Sequence, residues 1–405
     1  MRDLGGKPRI AIAGAGPAGS SLAIRLAARG FDVTLIERER FPRHKLCGEF
    51  ISPECLGHFD EMGAGDAMLA AGGKKIRETR FYDRRGHSFA IPSGLLESGG
   101  FALSLSRYEM DRCLMDRARR TGVKVIEGTR VCDVVIEGGN VTELAVVDDE
   151  RLADHIDAGL FVDATGRSAI LAKLLERKLP TSKIHKQRSL AVGFKTHLRG
   201  ARVAPGTCEI FAFPGGYGGL TTIEDDLANL CFIMKPGAAR KLGGNADELF
   251  RKAVCQNRRA AWCLESADPV REWLAVSISS FGRTPRPRAA NVLTVGDAAS
   301  FIDPFTGSGM LMALESSALL ADAIAAAPND PAAVRETYTA AYDRVFGSRL
   351  RVSSALRKIS FMPIFPSAAI ALLNLSEGAR KYLAAATRSP RSSGPKRSRY
   401  ILRNQ

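Results

Sequence analysis

The sequence lacks the patterns that mark metalloproteins, secreted proteins and membrane-spanning proteins. Its eight cysteines include no Cys-x-x-Cys pair, which argues against a structural zinc site and against thioredoxin-like chemistry. The amino terminus has no apolar signal core, so we expect no export and reduced thiols. The uncharged run at residues 359–376 is broken by Pro363 and Pro366, which argues against a membrane span. These absences predict a cytoplasmic protein and leave association with a membrane surface open.

Positive charge, in contrast, is in excess. The 405 residues include 58 Lys and Arg against 43 Asp and Glu, a formal net charge of +15. The basic residues are not interleaved with aromatic residues in one globular stretch, which argues against a nucleic-acid partner. Six of them lie among Ser, Gly and Pro between Arg388 and Arg403, which predicts a solvated, disordered tail. An anionic membrane surface or an acidic protein, such as a partner reductase, is the alternative role for this tail.

The strongest positive pattern lies between Arg9 and Arg38. A short apolar strand leads into Gly-Ala-Gly-Pro-Ala-Gly, a helix of small residues and a second strand that ends in Glu37. The three glycines permit a tight turn, a close approach of the backbone to a pyrophosphate, and close packing of helix on strand. A carboxylate at position 37 can accept hydrogen bonds from both ribose hydroxyls. The unit therefore predicts a bound dinucleotide, with contacts from Gly14, Ala15, Gly16, Pro17, Ala18, Gly19, Glu37 and Arg38.

Two later segments repeat the pattern of a strand followed by a glycine turn. Residues 156–162 predict a strand that ends in Asp163-Ala-Thr-Gly-Arg-Ser, and residues 288–300 predict a buried strand that ends in Gly296-Asp297. The second segment continues through Pro304-Phe-Thr-Gly-Ser-Gly-Met into a long apolar helix to about Ala326. Gly307 and Gly309 open this helix, so its N–H groups can face a negatively charged ligand.

Between these two segments, the pattern changes to the alternation typical of β-strands. We predict strands at 190–198, 207–213, 220–224 and 227–234, followed by a helical stretch over 246–264. Earlier in the chain, segments near 78–82 and 87–91 predict a hairpin, and a helix is predicted to begin near Ser106. Another helix is predicted from a Ser52 cap to about Met62. We interpret the strand-rich part as an inserted domain whose sheet covers a pocket.

Taken together, residues 14–37, 163–168 and 296–310 resemble the superfamily of FAD enzymes that contains aromatic hydroxylases, geranylgeranyl reductases and flavin-dependent halogenases. The loop Arg43-His-Lys-Leu-Cys-Gly is most similar to that of the reductase and halogenase branch. The resemblance implies an α/β fold: a glutathione-reductase-like Rossmann domain for FAD, an inserted β-sheet substrate domain and C-terminal helices. It also implies that Arg107 reaches the cofactor and that Asp297 binds its ribityl chain. Further implied FAD contacts are Cys47, Val131, Gly296, Pro304, Gly307, Ser308, Gly309 and Met310.

This interpretation divides the chain into seven segments. The FAD domain takes residues 1–75, 105–180 and 286–330. The substrate domain takes a hairpin at 76–104 and a lid at 181–285, and a helical region at 331–387 precedes the tail at 388–405.

Two signatures of the superfamily are altered in this chain. Geranylgeranyl reductases carry Pro-x-x-Tyr-x-Trp-x-Phe-Pro over the substrate cavity, whereas here Tyr217 remains and Gly219, Thr221 and Thr222 replace Trp, Phe and the second Pro. This loss of apolar lining argues against a long prenyl substrate. The halogenase motif Trp-x-Trp-x-Ile-Pro is not formed by the two tryptophans, and Lys74 and Lys75 are interpreted as surface lysines.

We therefore predict an FAD-dependent oxidoreductase, specifically an NAD(P)H-dependent monooxygenase of a hydrophobic aromatic or polyketide-like molecule. An alkene reductase or dehydrogenase, and a flavoprotein that binds lipid or passes electrons without turnover, remain alternatives. No second glycine unit for NAD(P)H is visible, so the nicotinamide would bind transiently, or a separate partner would reduce the flavin. The catalytic candidates are Cys47, whose cationic loop favours a thiolate, and Tyr217, which could lean over the flavin or donate a proton. A small packed residue and a core tyrosine are the respective alternatives. Substrate identity and oligomeric state stay open.

Overall fold

The computed structural model of the chain describes residues 6–96, 100–179 and 189–360, together with residue 378. The tail predicted at 388–405 and most of the uncharged run at 359–376 lie outside these residues. The strands are β1 Ile10–Ala13, β2 Val33–Ile36, β3 Phe50–Ile51, β4 Lys74–Ile76, β5 Glu78–Tyr82, β6 Ser88–Pro92, β7 Ala102–Ser104, β8 Lys124–Ile126, β9 Thr129–Glu137, β10 Asn140–Asp148, β11 Ala153–Asp157, β12 Leu160–Asp163, β13 Ala191–Arg199, β14 Thr207–Phe213, β15 Gly216–Thr222, β16 Ala228–Met234, β17 Asp268–Pro269, β18 Leu274–Ile278, β19 Gly282–Arg283, β20 Val292–Thr294 and β21 Ser300–Phe301. The helices are α1 Pro17–Ala27, α2 Pro53–Glu61, α3 Gly65–Ala70, α4 Arg107–Arg120, α5 Ile170–Lys178, α6 Pro236–Lys241, α7 Ala246–Lys252, α8 Arg258–Leu264, α9 Gly309–Ala326 and α10 Pro331–Ser360.

A parallel five-stranded sheet in the order β20-β12-β1-β2-β8 forms the first layer. Its central strand, Ile-Ala-Ile-Ala, is fully apolar because helices and a second sheet cover both of its faces. The helix α1 begins directly after the first glycine turn and packs on α9, where the Ser317 hydroxyl donates to the Ala18 carbonyl at 2.7 Å. This arrangement confirms the predicted α/β fold class.

The helix α9 is also the one helix in the described part of the chain that is long and apolar enough to cross a membrane. Its mean hydropathy is 1.4, and 56% of its residues are buried inside the fold. Since its buried residues pack against α1 and α10, burial in the protein accounts for its composition.

A mixed eight-stranded sheet, the lid sheet, forms the second large layer. Its order is β17-β13-β16-β15-β14-β5-β6, with β18 paired to the start of β13. Alternate side chains face opposite sides of the sheet. One side, with Phe211, Leu230 and Phe232, packs on the helices α6–α8, and the other side faces the FAD domain.

Three details of the structure, two of them in the lid, differ from the sequence predictions. The third lid strand begins at Gly216 rather than at residue 220, because glycines and Tyr217 continue the ladder with β14 and β16. The helical stretch predicted over 246–264 is interrupted by a short turn, because the buried Asn257 caps α8 by accepting two of its N–H groups. The helix α2 does begin after Ser52, but the Ser52 side chain makes no capping hydrogen bond.

Candidate FAD site

The first glycine turn contains glycines of two kinds. Gly14 has a positive φ of 98°, and a Cβ there would lie 2.4 Å from the Ala164 carbonyl oxygen. A Cβ at Gly19 would lie 1.9 Å from the Gly14 carbonyl oxygen, so both glycines are required by the protein's own packing. A Cβ at Gly16 would meet only the Arg107 Nη2, at 3.8 Å. Packing among the described residues does not require glycine at position 16, which fits a backbone left open for a phosphate.

Glu37 lies buried at the end of β2, beside this turn. Its Oε2 accepts the Ala15 N–H at 2.8 Å, and its Oε1 accepts the Glu39 N–H at 3.1 Å. Arg38 is exposed and pairs with Glu39 at 3.1 Å. The Glu37 carbonyl accepts the Thr129 N–H at 2.9 Å, which places β9, with the half-buried Val131, next to the acid.

Three turns meet at the carboxyl edge of the parallel sheet, where ligands of such sheets bind. The turn after β12 contacts Gly14 through Ala164, and the turn after β20 contacts Ala18, since a Cβ at Gly296 would lie 2.8 Å from the Ala18 Cβ. Asp163 stabilises the middle turn by accepting the Thr165 N–H at 3.0 Å. The tertiary structure therefore brings together the three segments that carried the resemblance.

Asp297 lies in a short turn immediately after β20 and is surrounded by cations. Burial raises its pKa to about 6, and Arg167, Arg107 and Lys45 oppose this shift. Three basic side chains around one carboxyl group leave a net positive environment, which suits a pyrophosphate or an anionic reduced flavin.

The segment from Pro304 to Met310 ends in the amino terminus of α9. Asp303 caps the Pro304 turn by accepting the Phe305 N–H at 3.0 Å, and Gly307 follows with a positive φ of 61°. Ser308 is buried as the residue preceding the helix, and α9 begins at Gly309 as predicted. A Cβ at Gly309 would meet only Ile302, at 3.7 Å. The positive end of an 18-residue helix therefore has open backbone, as binding of a flavin would require.

The loop at 43–49 is held by a buried group of charges on α4. Asp111 accepts hydrogen bonds from Arg43 at 2.9 Å and from the Nε and Nη2 of Arg107, at 2.8 and 2.7 Å. Burial opposes the charge of Arg107, yet its pKa is raised, because the Asp111 carboxylate attracts the guanidinium and accepts hydrogen bonds from it, with a smaller contribution from Cys47. The half-buried Cys47 sulfur also accepts the Glu49 N–H at 3.4 Å.

The sequence analysis missed a buried ionic cluster formed by Glu49, Lys195 and His197. Glu49 is fully buried at a positive φ of 54°, and its Oε1 accepts from the Lys195 ammonium and from the Arg107 N–H at 2.8 Å. Its Oε2 lies 2.9 Å from the His197 Nε2. Burial alone would raise the pKa of Glu49, but Lys195 and His197 outweigh it and the pKa is lowered. The available signal was a Lys and a His two residues apart in a strand whose first four residues are apolar or glycine.

The cluster joins the lid sheet to the Cys47 loop. Lys195 also donates to the Lys45 carbonyl at 3.0 Å, and Asn229 on the neighbouring strand donates to the Cys47 carbonyl at 3.2 Å. These contacts place Cys47 against the polar end of the lid face, next to β13 and β16.

Tyr217 faces the other end of the same sheet surface. Its hydroxyl donates to the Asp303 carboxylate, and its ring meets Phe305 edge-on at 5.2 Å. Burial and Asp303 raise the pKa of Tyr217 well above its usual value, so the phenol is protonated at neutral pH. Cys47 and Tyr217 therefore lie toward opposite ends of one lid surface, with Cys231 on β16 between them. Their catalytic roles, like the individual FAD contacts, stay predictions.

Lys74 and Lys75 lie outside this face. Lys74 pairs with Asp226 at 3.0 Å, and the exposed Lys75 lies 4.7 Å from the Phe101 ring. Both contacts agree with surface lysines.

Comparison with known proteins gives a consistent result. Residues 7–346 match the family model described as FAD binding domain. The menaquinone reductase of Mycolicibacterium smegmatis is 24% identical over 327 residues, which cover 77% of this chain and 75% of the relative. The flavin-dependent halogenase armH4 of Armillaria mellea is 25% identical over 370 residues, covering 81% of this chain and 66% of that longer protein. The solved structure of the flavin-dependent brominase Bmp2 has a TM-score of 0.76 at 20% identity, covering 98% of this chain and 97% of that chain.

The residues at the carboxyl edge of the sheet fit FAD. This one ligand explains three features of the edge: open backbone at Gly16 and Gly309, a fixed acid at Glu37, and a cationic environment around Asp297. The family match extends over the FAD domain and the inserted lid. The chain therefore belongs to the FAD binding domain family and is an FAD-dependent oxidoreductase by membership.

Proposed function

We propose that this protein is an NAD(P)H-dependent flavin monooxygenase that hydroxylates a hydrophobic aromatic or polyketide-like molecule. Reduced FAD supplies two electrons to molecular oxygen, so that one oxygen atom enters the substrate and the other leaves as water. The chain's own residues bind and orient the substrate, exclude water and fix protons near the flavin.

The observation that carries this proposal is an aromatic wall where the lid meets the amino terminus of α9. Tyr217, Phe281, Phe301 and Phe305 belong to one apolar cluster that also includes residues of β13, β16 and β18. Phe281 stacks on Phe301 at 5.2 Å. Aromatic pairs contribute about 0.5–1.5 kcal/mol each beyond the burial of area, so this wall favours a flat aromatic substrate.

The altered signature lies on the same side of the lid. Tyr217, Gly219 and Thr221 alternate along β15, so all three face the FAD domain, and a Cβ at Gly219 would lie 3.2 Å from Ile210. Small residues at positions 219 and 221 remove the aromatic lining that suits a prenyl chain. They favour a substrate that is compact in this part of the pocket.

Polar atoms at the far end of this face suit a substrate that carries hydroxyl groups. The Thr221 hydroxyl and the Asn229 Oδ1 are buried on directly paired residues and have no hydrogen-bond partner among the described residues. Asn229 uses its Nδ2 to donate to the Cys47 carbonyl, so its Oδ1 is left as an acceptor. At the other end, the Tyr217 hydroxyl donates to Asp303, which orients the phenol within the aromatic wall.

The test is NADPH oxidation by the FAD-loaded protein, with and without oxygen, in the presence of alkylphenols and polycyclic phenols. We expect substrate-stimulated oxidation, oxygen uptake, and one atom of isotopically labelled oxygen in the product. Tyr217→Phe should raise KM more than it lowers kcat. Tyr82→Phe, on β5 beside Phe211, serves as the matched control and should change neither value. Bleaching of the flavin without oxygen uptake or a hydroxylated product would refute the monooxygenase.

Alkene reduction is the second candidate, favoured by the setting of Cys47. Its sulfur accepts the Glu49 N–H at 3.4 Å and lies beside the Arg107 guanidinium, in the loop that the resemblance places near the flavin. The similarity to a menaquinone reductase points in the same direction. Anaerobic turnover of a prenylated quinone that is lost in Cys47→Ala would support this candidate. A change of flavin absorbance on ligand binding without any turnover would instead favour a binding or electron-transfer protein.

A further inference from the structure

An exposed tryptophan lies on the outer end of the lid, remote from the FAD-facing surface. Trp262, on α8, is 49% exposed. The guanidinium carbon of Arg259 lies 4.4 Å from its ring centre and that of Arg202 lies 5.4 Å away. These two arginines are neutralised locally, by Glu209 at 2.7 Å and Glu265 at 2.8 Å.

Three more arginines lie in the same region, two at the turn between β5 and β6 and one at the start of α8. Arg84 and Arg85 are exposed at this turn, and the Arg84 carbonyl accepts the N–H of the exposed Arg258, at the start of α8, at 3.1 Å. Within the described ranges, no ion pair joins any of these three arginines to a carboxylate. We call Trp262, Arg84, Arg85, Arg202 and Arg258 the Trp262 patch.

The patch is a rigid surface. The Asp83 carboxylate fixes the turn by accepting the N–H groups of Arg85 and His87, each at 2.9 Å, and it also pairs with the His87 ring. Asn257 donates to the Asp83 carbonyl at 2.8 Å and caps α8, so the turn and the tryptophan-bearing helix are joined. The fold therefore sets the backbone positions of Arg84, Arg85 and Arg258 relative to α8.

We propose that the Trp262 patch docks this protein on an anionic phospholipid surface. Tryptophan is favoured at the boundary between headgroups and acyl chains, and arginines beside it bind lipid phosphates. The excess of unpaired arginines selects anionic over neutral lipid. A nucleic-acid site would need a row of aromatic residues on which bases stack, whereas this patch has one tryptophan, already stacked by the protein's own arginines.

The chain contains only two tryptophans, which makes the docking directly observable. Trp273 packs on Phe232 and Phe250 inside the lid, so Trp273→Phe leaves Trp262 as the single reporter. The FAD-loaded variant is titrated with vesicles of phosphatidylcholine alone, or mixed with phosphatidylglycerol. We expect a blue shift of emission and quenching by brominated lipids with the anionic vesicles only. If Trp273→Phe does not fold, the difference between wild type and Trp262→Phe gives the same signal.

Neutralising Arg84, Arg85 and Arg258 to Gln should weaken the vesicle titration by about 100-fold, or about fivefold per arginine. Lys252→Gln, on the neighbouring helix α7 and paired with Glu248, is the matched charge control and should leave the titration unchanged. All variants keep the basic residues beyond 388, which can attract the protein to vesicles but cannot bury Trp262. Vesicle binding without a Trp262 signal overturns the proposal. So does a signal that is equal with neutral vesicles, or one produced by an acidic protein or an oligonucleotide instead.

Discussion

Removing the Lys195 ammonium should destabilise the protein by leaving the Glu49 carboxylate without its principal counter-charge. Both side chains are essentially inaccessible to solvent, at 2% and 0% exposure. Breaking a buried ion pair by deleting one partner costs about 3–5 kcal/mol. Glu49 would keep the Arg107 N–H and His197, so we expect Lys195→Met to lie at the lower end, about 3 kcal/mol.

The comparison variants isolate the charge. Glu49→Gln in the Lys195→Met background removes the unpaired carboxylate while keeping an acceptor for the Arg107 N–H, so most of the lost stability should return. Lys74→Met deletes an exposed pair with Asp226, where the side chains are 41% and 90% exposed, and should cost about 0–1 kcal/mol. The assay is urea unfolding of FAD-loaded protein, analysed as a double-mutant cycle.

A second readout tests whether the cluster positions the Cys47 loop. Glu49 donates its N–H to the Cys47 sulfur, so loss of Lys195 should increase alkylation of Cys47, measured by mass spectrometry, relative to the exposed Cys132. An effect of Lys195→Met no larger than that of Lys74→Met would refute the reasoning. So would a double variant that is no more stable than the single one.

Three further predictions concern the FAD site and the lid. Burial raises the pKa of Asp297 from 3.8 to about 6, so its folded form favours the protonated carboxyl group. The stability that this group gives the apoprotein is therefore present below pH 3.8 and is lost as the pH rises through about 6. Asp297→Asn should remove this pH dependence from thermal unfolding curves. Gly16→Ala should weaken FAD binding, measured by flavin fluorescence titration, with little change in apoprotein stability. Gly19→Ala should instead prevent folding, measured by circular dichroism, since its Cβ would lie 1.9 Å from a carbonyl oxygen. Asn257→Ala should lower the free energy of unfolding by roughly 2–4 kcal/mol, because a helix cap is lost and buried carbonyls lose their donor. Denaturant unfolding measures this change, and a value under about 1 kcal/mol would contradict the capping role.

The sequence predicted those features that depend on neighbouring residues. Ser106 was recognisable as a helix start, and its hydroxyl does accept the Glu109 N–H at 3.2 Å. The strand Thr207–Phe213 has the predicted bounds, because its β-forming residues end at the Pro-Gly-Gly turn that follows. The glycine unit also predicted a dinucleotide, since its spacing encodes a strand, a turn and a helix within thirty residues of chain.

Contacts between distant residues could not be predicted in this way. Lys195 and Glu49 are 146 residues apart, and the alternation of β13 shows which side chains share a face but not which loop covers them. Similarly, Tyr217 was a candidate from its motif, whereas its partner Asp303 was not recognised as one. The break at Asn257 depends on carbonyls of Asp83 and Ala212, which belong to other strands.

By itself, the sequence determined the cofactor class and the α/β fold class, because the binding of a pyrophosphate and the alternation of strands are set by local backbone geometry. Only the tertiary structure decided how the lid meets the FAD domain, with ion pairs beside Cys47 at one end and an aromatic wall beside Tyr217 at the other. Such burial depends on which surfaces pack together. The environment of each side chain, and with it the pKa values of Glu49, Tyr217 and Asp297, therefore follows from contacts that no short stretch of sequence contains.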